Sequence, residues 1–172
     1  EAINAVTTET PAKQAAKEKL AQAAETKKQT ITADNTLTEE EKTAAKNAVD
    51  RELRTASDAV DAATDNAGVE SAKTAGEEAI NAITVATPAK QAAKDALDKA
   101  AETKKAEIAS NSKLTAEEKA EETRKVEEAL TSAKQEVEKA TTNAAVASAK
   151  TAGKEAINAV TTETPAKQAA KE

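Results

Sequence analysis

Apolar residues recur at steps of three and four along most of this chain, and polar or charged residues fill the positions between them. That period predicts amphipathic α-helices with one apolar face. Three successive segments carry it, which we name helix A (residues 11–32), helix B (38–63) and helix C (66–83). The predicted apolar faces are Ala12, Ala16, Leu20, Ala23, Ala24 and Ile31 in helix A, Ala45, Val49, Leu53, Ala56, Val60 and Ala63 in helix B, and Val69, Ala72, Gly76, Ile80 and Ile83 in helix C.

Residues that favour helix starts stand before helices A and B. Thr10 precedes Pro11; threonine is a good N-cap, and proline suits the first helical position because its missing N–H would have no partner there. Thr38 and Glu41 have the spacing of a capping box, in which each side chain accepts from the other residue's backbone N–H. The segment 34–36 between these helices predicts a short loop.

Helix C is expected to begin at the turn that contains Asp65 and Asn66, with Thr64 or Asn66 as its cap. Gly76 lies inside its apolar face, and glycine there costs about 1 kcal/mol relative to alanine. We therefore expect a close helix crossing at Gly76, which offsets that cost. The same expectation holds for Gly153, the corresponding glycine in the second half of the chain.

The whole three-helix pattern occurs twice. The octapeptide 10–17 returns unchanged at 87–94 and 164–171, at intervals of 77 residues. Residues 11–87 and 88–164 are identical at 42 of their 77 positions, so the chain is a tandem array. We interpret 1–10 as the C-terminal end of a preceding repeat, 11–87 as repeat 1, 88–164 as repeat 2, and 165–172 as the start of a following repeat.

The fold class predicted from this pattern is all-α. No single helix can bury its apolar face alone, whereas three antiparallel helices with short loops can. Each repeat is therefore expected to form an up-down-up, spectrin-like three-helix bundle. Because three is an odd number, helix C ends at the opposite pole from the start of helix A. We expect two bundles joined end to end as an elongated rod.

Composition removes most catalytic chemistry. The chain has no Cys, His, Met, Phe, Trp or Tyr, so imidazole acid–base groups, thiolates and stacking faces are missing. The net charge of −6 with mixed signs disfavours nucleic acid. No apolar run is long enough to span a membrane. We expect a monomer that is not an enzyme, with no catalytic, cofactor-binding or metal-binding residues and no cofactor.

A few clusters of charged or polar residues are candidate sites. The acidic runs 39–41 and 117–122 could hold Ca²⁺, but acidic first turns that complement the helix dipole explain them better. The lysine pairs 27–28 and 104–105 could form a basic patch, but cations near a helix C-terminus are the simpler interpretation. Asparagines recur near the ends of helix C, and we interpret them as caps or junction contacts; they are Asn4, Asn81 and Asn158.

Longer motifs resemble a known repeat. PAKQAAKDALDKAAETKKAEI (88–108), LTAEEKAEE (114–122) and ATTNAAVASAKTAGKEAINAV (140–160) are similar to a domain of unknown function in Gram-positive cell-wall-anchored surface proteins. The repeat recurs in giant matrix-binding proteins and biofilm-associated adhesins, and the resemblance covers essentially the whole chain. It implies an extracellular stalk of tandem copies that projects an adhesive domain from the cell wall. The family has no catalytic residues to carry over.

The leading functional hypothesis is accordingly a structural spacer whose neighbours are other repeats of the same chain. A binding module for host matrix or serum proteins is the alternative, although binding hot spots favour Trp, Tyr and Arg and the chain has no aromatics. Homotypic association between cells or within a biofilm is a third hypothesis. An alanine-rich chain that is disordered when free is a fourth, and the capped helix starts count against it.

Overall fold

The computed structural model of the chain describes residues 10–161. In that part, helices follow one another and no strand occurs. They fall into two compact units, the first with α1–α3 and the second with α4–α6. The helices are α1 (Pro11–Ala33), α2 (Glu39–Ala62), α3 (Asn66–Ala82), α4 (Ala89–Ser110), α5 (Ala116–Lys139) and α6 (Asn143–Asn158). The prediction of an all-α chain with two tandem three-helix bundles is confirmed.

Contacts between helices show how the first bundle runs. Lys17, in the second turn of α1, lies 2.6 Å from the carboxylate of Asp61 in the last turn of α2. These two helices are therefore antiparallel. Lys27 of α1 donates to the backbone carbonyl of Asn81 at the end of α3, at 2.8 Å. Because both residues lie in the C-terminal parts of their helices, α3 runs parallel to α1, as the up-down-up topology requires.

The core of each bundle follows the centre of the predicted apolar faces, whereas several predicted positions at their edges are only half-buried. Leu20, Val49, Val60 and Ile80 are completely buried in the first bundle. Leu53, predicted to lie in the core, is only half-buried, and so is its counterpart Leu130; that prediction was wrong. Both leucines lie at the edge of the apolar stripe of helix B, where a large side chain remains partly in water. The fully buried counterparts in the second bundle are Leu97, Val126, Val137 and Ile157.

The predicted close crossing at the helix C glycines is confirmed. A Cβ atom at Gly76 would lie 2.4 Å from the Cβ of Ala56 and 2.7 Å from Cδ2 of Leu20. At Gly153 the corresponding distances, to Ala133 and Leu97, are 2.5 and 2.8 Å. All three helices of each bundle therefore meet at a point that has no room for a methyl group.

Capping matches the sequence in some places. The Thr10 hydroxyl accepts from the backbone N–H of Lys13 at 3.3 Å. The capping box predicted from the spacing in helix B forms at α5, where Thr115 and Glu118 accept from each other's backbone N–H groups at 3.2 and 2.8 Å. Both helices thus begin where the sequence predicted.

Two predicted helix starts were wrong by one residue. Pro88 was expected at the first helical position, but its ψ of 140° is extended, and it forms the N-cap of α4 without a side-chain hydrogen bond. The cap of α3 is Asp65 rather than Thr64 or Asn66, because its carboxylate accepts from Gly68 N–H at 2.7 Å. An anionic cap also suits the positive end of the helix dipole. The predicted start at Pro165 lies outside the described residues.

The two interiors are almost the same in sequence. Every position that is buried in either bundle holds the same residue in the other, with a single exception. The exception is Ala45 in α2, whose counterpart in α5 is Glu122. The differences between the repeats are therefore otherwise confined to exposed and half-buried positions.

Candidate functional site

A buried lysine in the first turn of helix A is the most unusual polar feature of each bundle. Lys13 and Lys90 are only 9 and 5% exposed. The ammonium of Lys13 donates to the backbone carbonyl of Asp61 at 2.6 Å, and that of Lys90 to the carbonyl of Glu138 at 2.8 Å. Both carbonyls belong to the last turn of helix B, where backbone acceptors lack helical partners and the dipole favours a cation. Each lysine therefore caps the C-terminus of a neighbouring helix.

Two ion pairs join helices A and B at equivalent positions in both bundles, and we call them the rungs; repeat 2 has a third pair, Lys134 with Asp98 at 2.6 Å. The first rung pairs Lys17 with Asp61 in repeat 1. The second pairs Lys28 with Asp50 at 3.1 Å. A hydrogen bond from Lys28 to Asp50 raises the pKa of the ammonium. The counterparts in repeat 2 are Lys94 with Glu138 and Lys105 with Glu127.

The rung carboxylates differ between the repeats while the lysines do not. Aspartate at 50 and 61 corresponds to glutamate at 127 and 138. The hydrogen bond from Lys94 lowers the pKa of the Glu138 carboxyl. Since the side chains of the rungs are part exposed, each rung adds only a fraction of about 1 kcal/mol. Their effect is mainly on which helices pair and in which register.

The lysine pairs considered as a basic patch are engaged by the protein itself. Lys27 donates to a helix C-terminus and Lys28 forms a rung. In repeat 2, Lys105 forms a rung, and Lys104 lies 3.6 Å from Glu107. Three of these cations contact another helix of the same bundle, and Lys104 pairs within its own helix. The contacts therefore support the interpretation as structural cations near a helix C-terminus.

In the acidic run at the start of α5, Glu121 and Glu122 pair with basic residues of the same helix. Glu118 completes the capping box. Arg124 donates to Glu121 at 2.6 Å and also pairs with Glu128. The hydrogen bond between Arg124 and Glu121 lowers the pKa of the Glu121 carboxyl and raises the pKa of the Arg124 guanidinium. Within residues 10–161, no group of three acidic side chains converges in a way that could hold a metal ion.

Glu122 is the one buried position at which the repeats differ. Its residue is 8% exposed, and one carboxylate oxygen accepts from Lys125 at 2.8 Å. The other oxygen, Oε2, is buried and accepts no hydrogen bond from any residue that the structure describes. Burying a polar atom without a partner costs about 1–3 kcal/mol. The first bundle avoids this cost, because alanine stands at position 45.

We expect Glu122→Ala to raise the free energy of unfolding of the second bundle by about 1 kcal/mol, because the buried oxygen disappears and alanine is the better helix former. The reciprocal change, Ala45→Glu, should destabilise the first bundle by about 1–3 kcal/mol. Urea unfolding monitored by circular dichroism measures both. A destabilising Glu122→Ala would show instead that the pair with Lys125 outweighs the burial.

Removing the ammonium of a capping lysine is expected to destabilise its bundle. Lys90→Met keeps the aliphatic stem but removes the ammonium, leaving the carbonyl of Glu138 without this donor. Hydrogen bonds from a charged group contribute about 1.5–3 kcal/mol, so we expect a loss of that size in the second bundle. Lys99→Met, an exposed position on the same helix, is the matched control. Equal unfolding curves for the two variants would contradict the capping role.

An open groove of about 740 Å³ lies between α5 and α6. Its walls consist mainly of alanine and serine, including Ala149 and Ala152, with Gly153 at its base and Glu136 and Lys139 along one side. Small side chains leave this surface concave and largely apolar. The groove could not be predicted from the sequence, because small residues on a helix face do not show whether a neighbouring side chain covers them.

The remaining residues singled out from the sequence fall at helix ends. Asn81 lies at the end of α3, and its carbonyl accepts from Lys27. Asn158 is the last residue of α6, and Asn4 lies outside the described residues. Among residues 10–161, no helix is both long and apolar enough to cross a membrane. The chemistry of the described clusters is therefore that of helix capping and helix pairing.

Comparison with protein families identifies both repeats. The model of a family described as Domain of Unknown Function (DUF1542) matches residues 12–88 and again 89–165. A search of curated proteins and a search of solved structures each returned no significant match. The two matches follow one another directly and together span most of the sequence. The chain therefore belongs to the DUF1542 family, of which it contains two tandem repeats.

Proposed function

We propose that these repeats are a structural spacer, part of the stalk of a bacterial cell-surface protein that projects an adhesive domain away from the cell wall. One observation carries the proposal. Helix α3 runs parallel to α1, as the contact between Lys27 and Asn81 requires, so the chain enters a bundle at one pole and leaves it at the other. In the proposed stalk, a further repeat that continues from that second pole would add length.

The relation between the two interiors supports the same function. Buried positions keep their residues from one repeat to the next except at Ala45 and Glu122, whereas the surface changes at many positions. The caps and rungs also recur in both bundles. What the repeats share is therefore the packing that keeps the bundle folded. A spacer needs that property, and it does not need a catalytic site or a cofactor.

Small-angle X-ray scattering on the two-repeat chain tests the spacer. Two bundles end to end would be about 80–90 Å long by helix rise and would give a radius of gyration of ~25 Å. A compact arrangement of the same length of chain gives ~16 Å, and an unfolded chain ~44 Å. A control with a flexible Gly/Ser linker inserted between Ala86 and Thr87 should lose the rod-like profile. A value near the compact one for the natural chain would overturn the proposal.

An extracellular, wall-anchored location is part of this proposal and rests on the resemblance to surface-protein repeats. It predicts that antibodies against the two-repeat chain label intact cells that express the parent protein. Brief protease treatment of those cells should remove the signal, while a cytoplasmic marker stays intact. Labelling only after the cells are lysed would contradict the location.

Binding to a host matrix or serum protein is the second candidate, and the groove between α5 and α6 is the observation that favours it. A partner helix could lie against such a concave, small-residue surface. Surface plasmon resonance with matrix and serum proteins would test this, with Ala152→Arg as the variant that fills the exposed groove wall. Saturable binding that the variant abolishes would favour a binding module over a pure spacer.

A further inference from the structure

The face by which helix A packs into its bundle is the same in both repeats. Its buried residues are identical pair by pair; they are Lys13, Ala16, Leu20, Ala24 and Ile31 in α1, and Lys90, Ala93, Leu97, Ala101 and Ile108 in α4. The surfaces of helices B and C that receive this face also match at their buried positions, apart from Ala45 and Glu122. The buried face of helix A therefore cannot distinguish the helix A of one repeat from the helix A of another.

The lysine contacts of helix A that recur in both repeats do not distinguish them either. One further ion pair, between Asp98 and Lys134 at 2.6 Å, has no counterpart in repeat 1, where alanine and serine stand at positions 21 and 57. Lys13 and Lys90 bind the same backbone carbonyl position, which exists whatever the side chain is. The first-rung lysine pairs with aspartate in repeat 1 and with glutamate in repeat 2, and the second-rung lysine shows the same difference in its partner. Each lysine thus accepts either carboxylate. A helix A therefore keeps its lysine cap and its rungs with either set of helices B and C.

The connection between helices A and B lacks the residues that force a tight turn. Residues 34–38 and 111–115 contain neither glycine nor proline. No residue in the described part of the chain has a positive φ, so no left-handed position fixes these loops. A few changes of φ and ψ are enough to open such a connection. The helices can then separate without breaking either of them.

We propose that the bundles exchange helix A with a second copy of this chain, so that helix A of one copy packs against helices B and C of the other. Exchange of identical elements between copies makes dimers with contacts that already exist in the monomer. The partner surface is therefore the interior of the bundle and not its exterior. The proposal does not rest on the spacer function, since it follows from the interchangeable interface alone. The monomer expected from the sequence corresponds to the closed form.

Two variants of the whole chain test whether the rungs direct this exchange. The acidic variant reverses the rung lysines: Lys17→Glu, Lys28→Glu, Lys94→Glu and Lys105→Glu. The basic variant reverses their partners: Asp50→Lys, Asp61→Lys, Glu127→Lys and Glu138→Lys. Each variant alone places like charges on every rung, whereas helix exchange between the two variants restores every rung.

We expect each variant alone to melt at a lowered temperature and to form no more dimer than the natural chain, because exchange with an identical copy leaves like charges on every rung. Refolded together from denaturant, they should elute at twice the monomer mass and melt at a higher temperature than either variant. The natural chain, refolded at increasing concentration, should give a dimer fraction that grows with concentration and persists on dilution. A mixture that stays monomeric and melts as the sum of its parts overturns the proposal. So does a natural chain that yields no dimer at any concentration.

A charge-matched control separates helix exchange from simple attraction between oppositely charged chains. It carries four acid-to-lysine changes at exposed positions outside the rungs: Asp58→Lys, Glu78→Lys, Glu102→Lys and Glu155→Lys. Its net charge equals that of the basic variant, so it should remain monomeric when refolded with the acidic variant. Equal dimerisation of this control also overturns the proposal. If four reversals prevent folding, the two reversals of repeat 2 alone provide the same comparison.

Discussion

Leu20→Ala is expected to lower the free energy of unfolding of the first bundle by roughly 3–5 kcal/mol, the upper range for a buried leucine. The side chain is completely buried, and its Cδ2 lies where α1 meets α3, against Gly76. Glycine offers no side chain that could move into the space left behind. The cavity therefore cannot collapse easily, and poor collapse is what makes such substitutions costly.

Leu53→Ala is the matched control, because it deletes the same atoms at a half-buried position of the same bundle. We expect it to cost about 1–2 kcal/mol, in proportion to the smaller area that leaves water. Urea unfolding gives the change in stability, and hydrogen–deuterium exchange assigns it to α1–α3. Equal losses of unfolding free energy for the two variants would show that Leu20 is no more central to the core than Leu53.

The helices and their glycine crossings could be predicted from the sequence, because both depend on local spacing. Apolar steps of three and four residues define a helix face without knowledge of its partner. Glycine within that face lowers helix stability relative to alanine, and close packing of helices can offset this loss. The close helix crossing at Gly76 could therefore be predicted from the position of the glycine. Leu53 shows the limit of this reasoning. Periodicity places it on the stripe, but whether the edge of a stripe is covered depends on the neighbouring helices.

The polar core could not be predicted in the same way. Lys13 lies at helical spacing from Ala16 and Leu20, so its place on the buried face was visible in the pattern. Residue type argued against burial, since lysine is almost never buried without a partner. Its partner is a backbone carbonyl of α2, far along the chain. Every residue has a backbone carbonyl, so the sequence does not show which one will accept a hydrogen bond. Glu122 was missed for a similar reason, because it stands in an acidic run that looks fully solvated.

Helix starts were predicted to within one residue, and the errors have local causes. The Thr-Pro pair begins α1 as expected, whereas at Thr87 and Pro88 the same pair begins α4 one residue later. Before α3, three consecutive polar residues could all serve as caps. The choice of Asp65 depends on which backbone N–H its carboxylate reaches, and that is decided by the path of the preceding turn.

Gly153→Ala is expected to destabilise the second bundle even though alanine is the better helix former. The new Cβ would lie 2.5 Å from the Cβ of Ala133 and 2.8 Å from Cδ2 of Leu97. Leucine can rotate, but the Cβ of alanine is fixed to its backbone, so the helices must move apart. Overpacking of this kind costs about 1–3 kcal/mol, which exceeds the gain of about 1 kcal/mol from helix propensity over most of that range.

Two further variants separate the clash from general effects of the substitution. Gly68→Ala introduces the residue that repeat 2 already has at this position, Ala145, and we expect it to be neutral or slightly stabilising. Adding Ala133→Gly to Gly153→Ala removes the closest contact, so the pair should be more stable than the sum of the two single changes predicts. Thermal and urea unfolding measure this coupling. If Gly153→Ala is as stable as Gly68→Ala, α5 and α6 have room for the methyl group, and the three-helix contact at Gly153 does not determine how closely they pack.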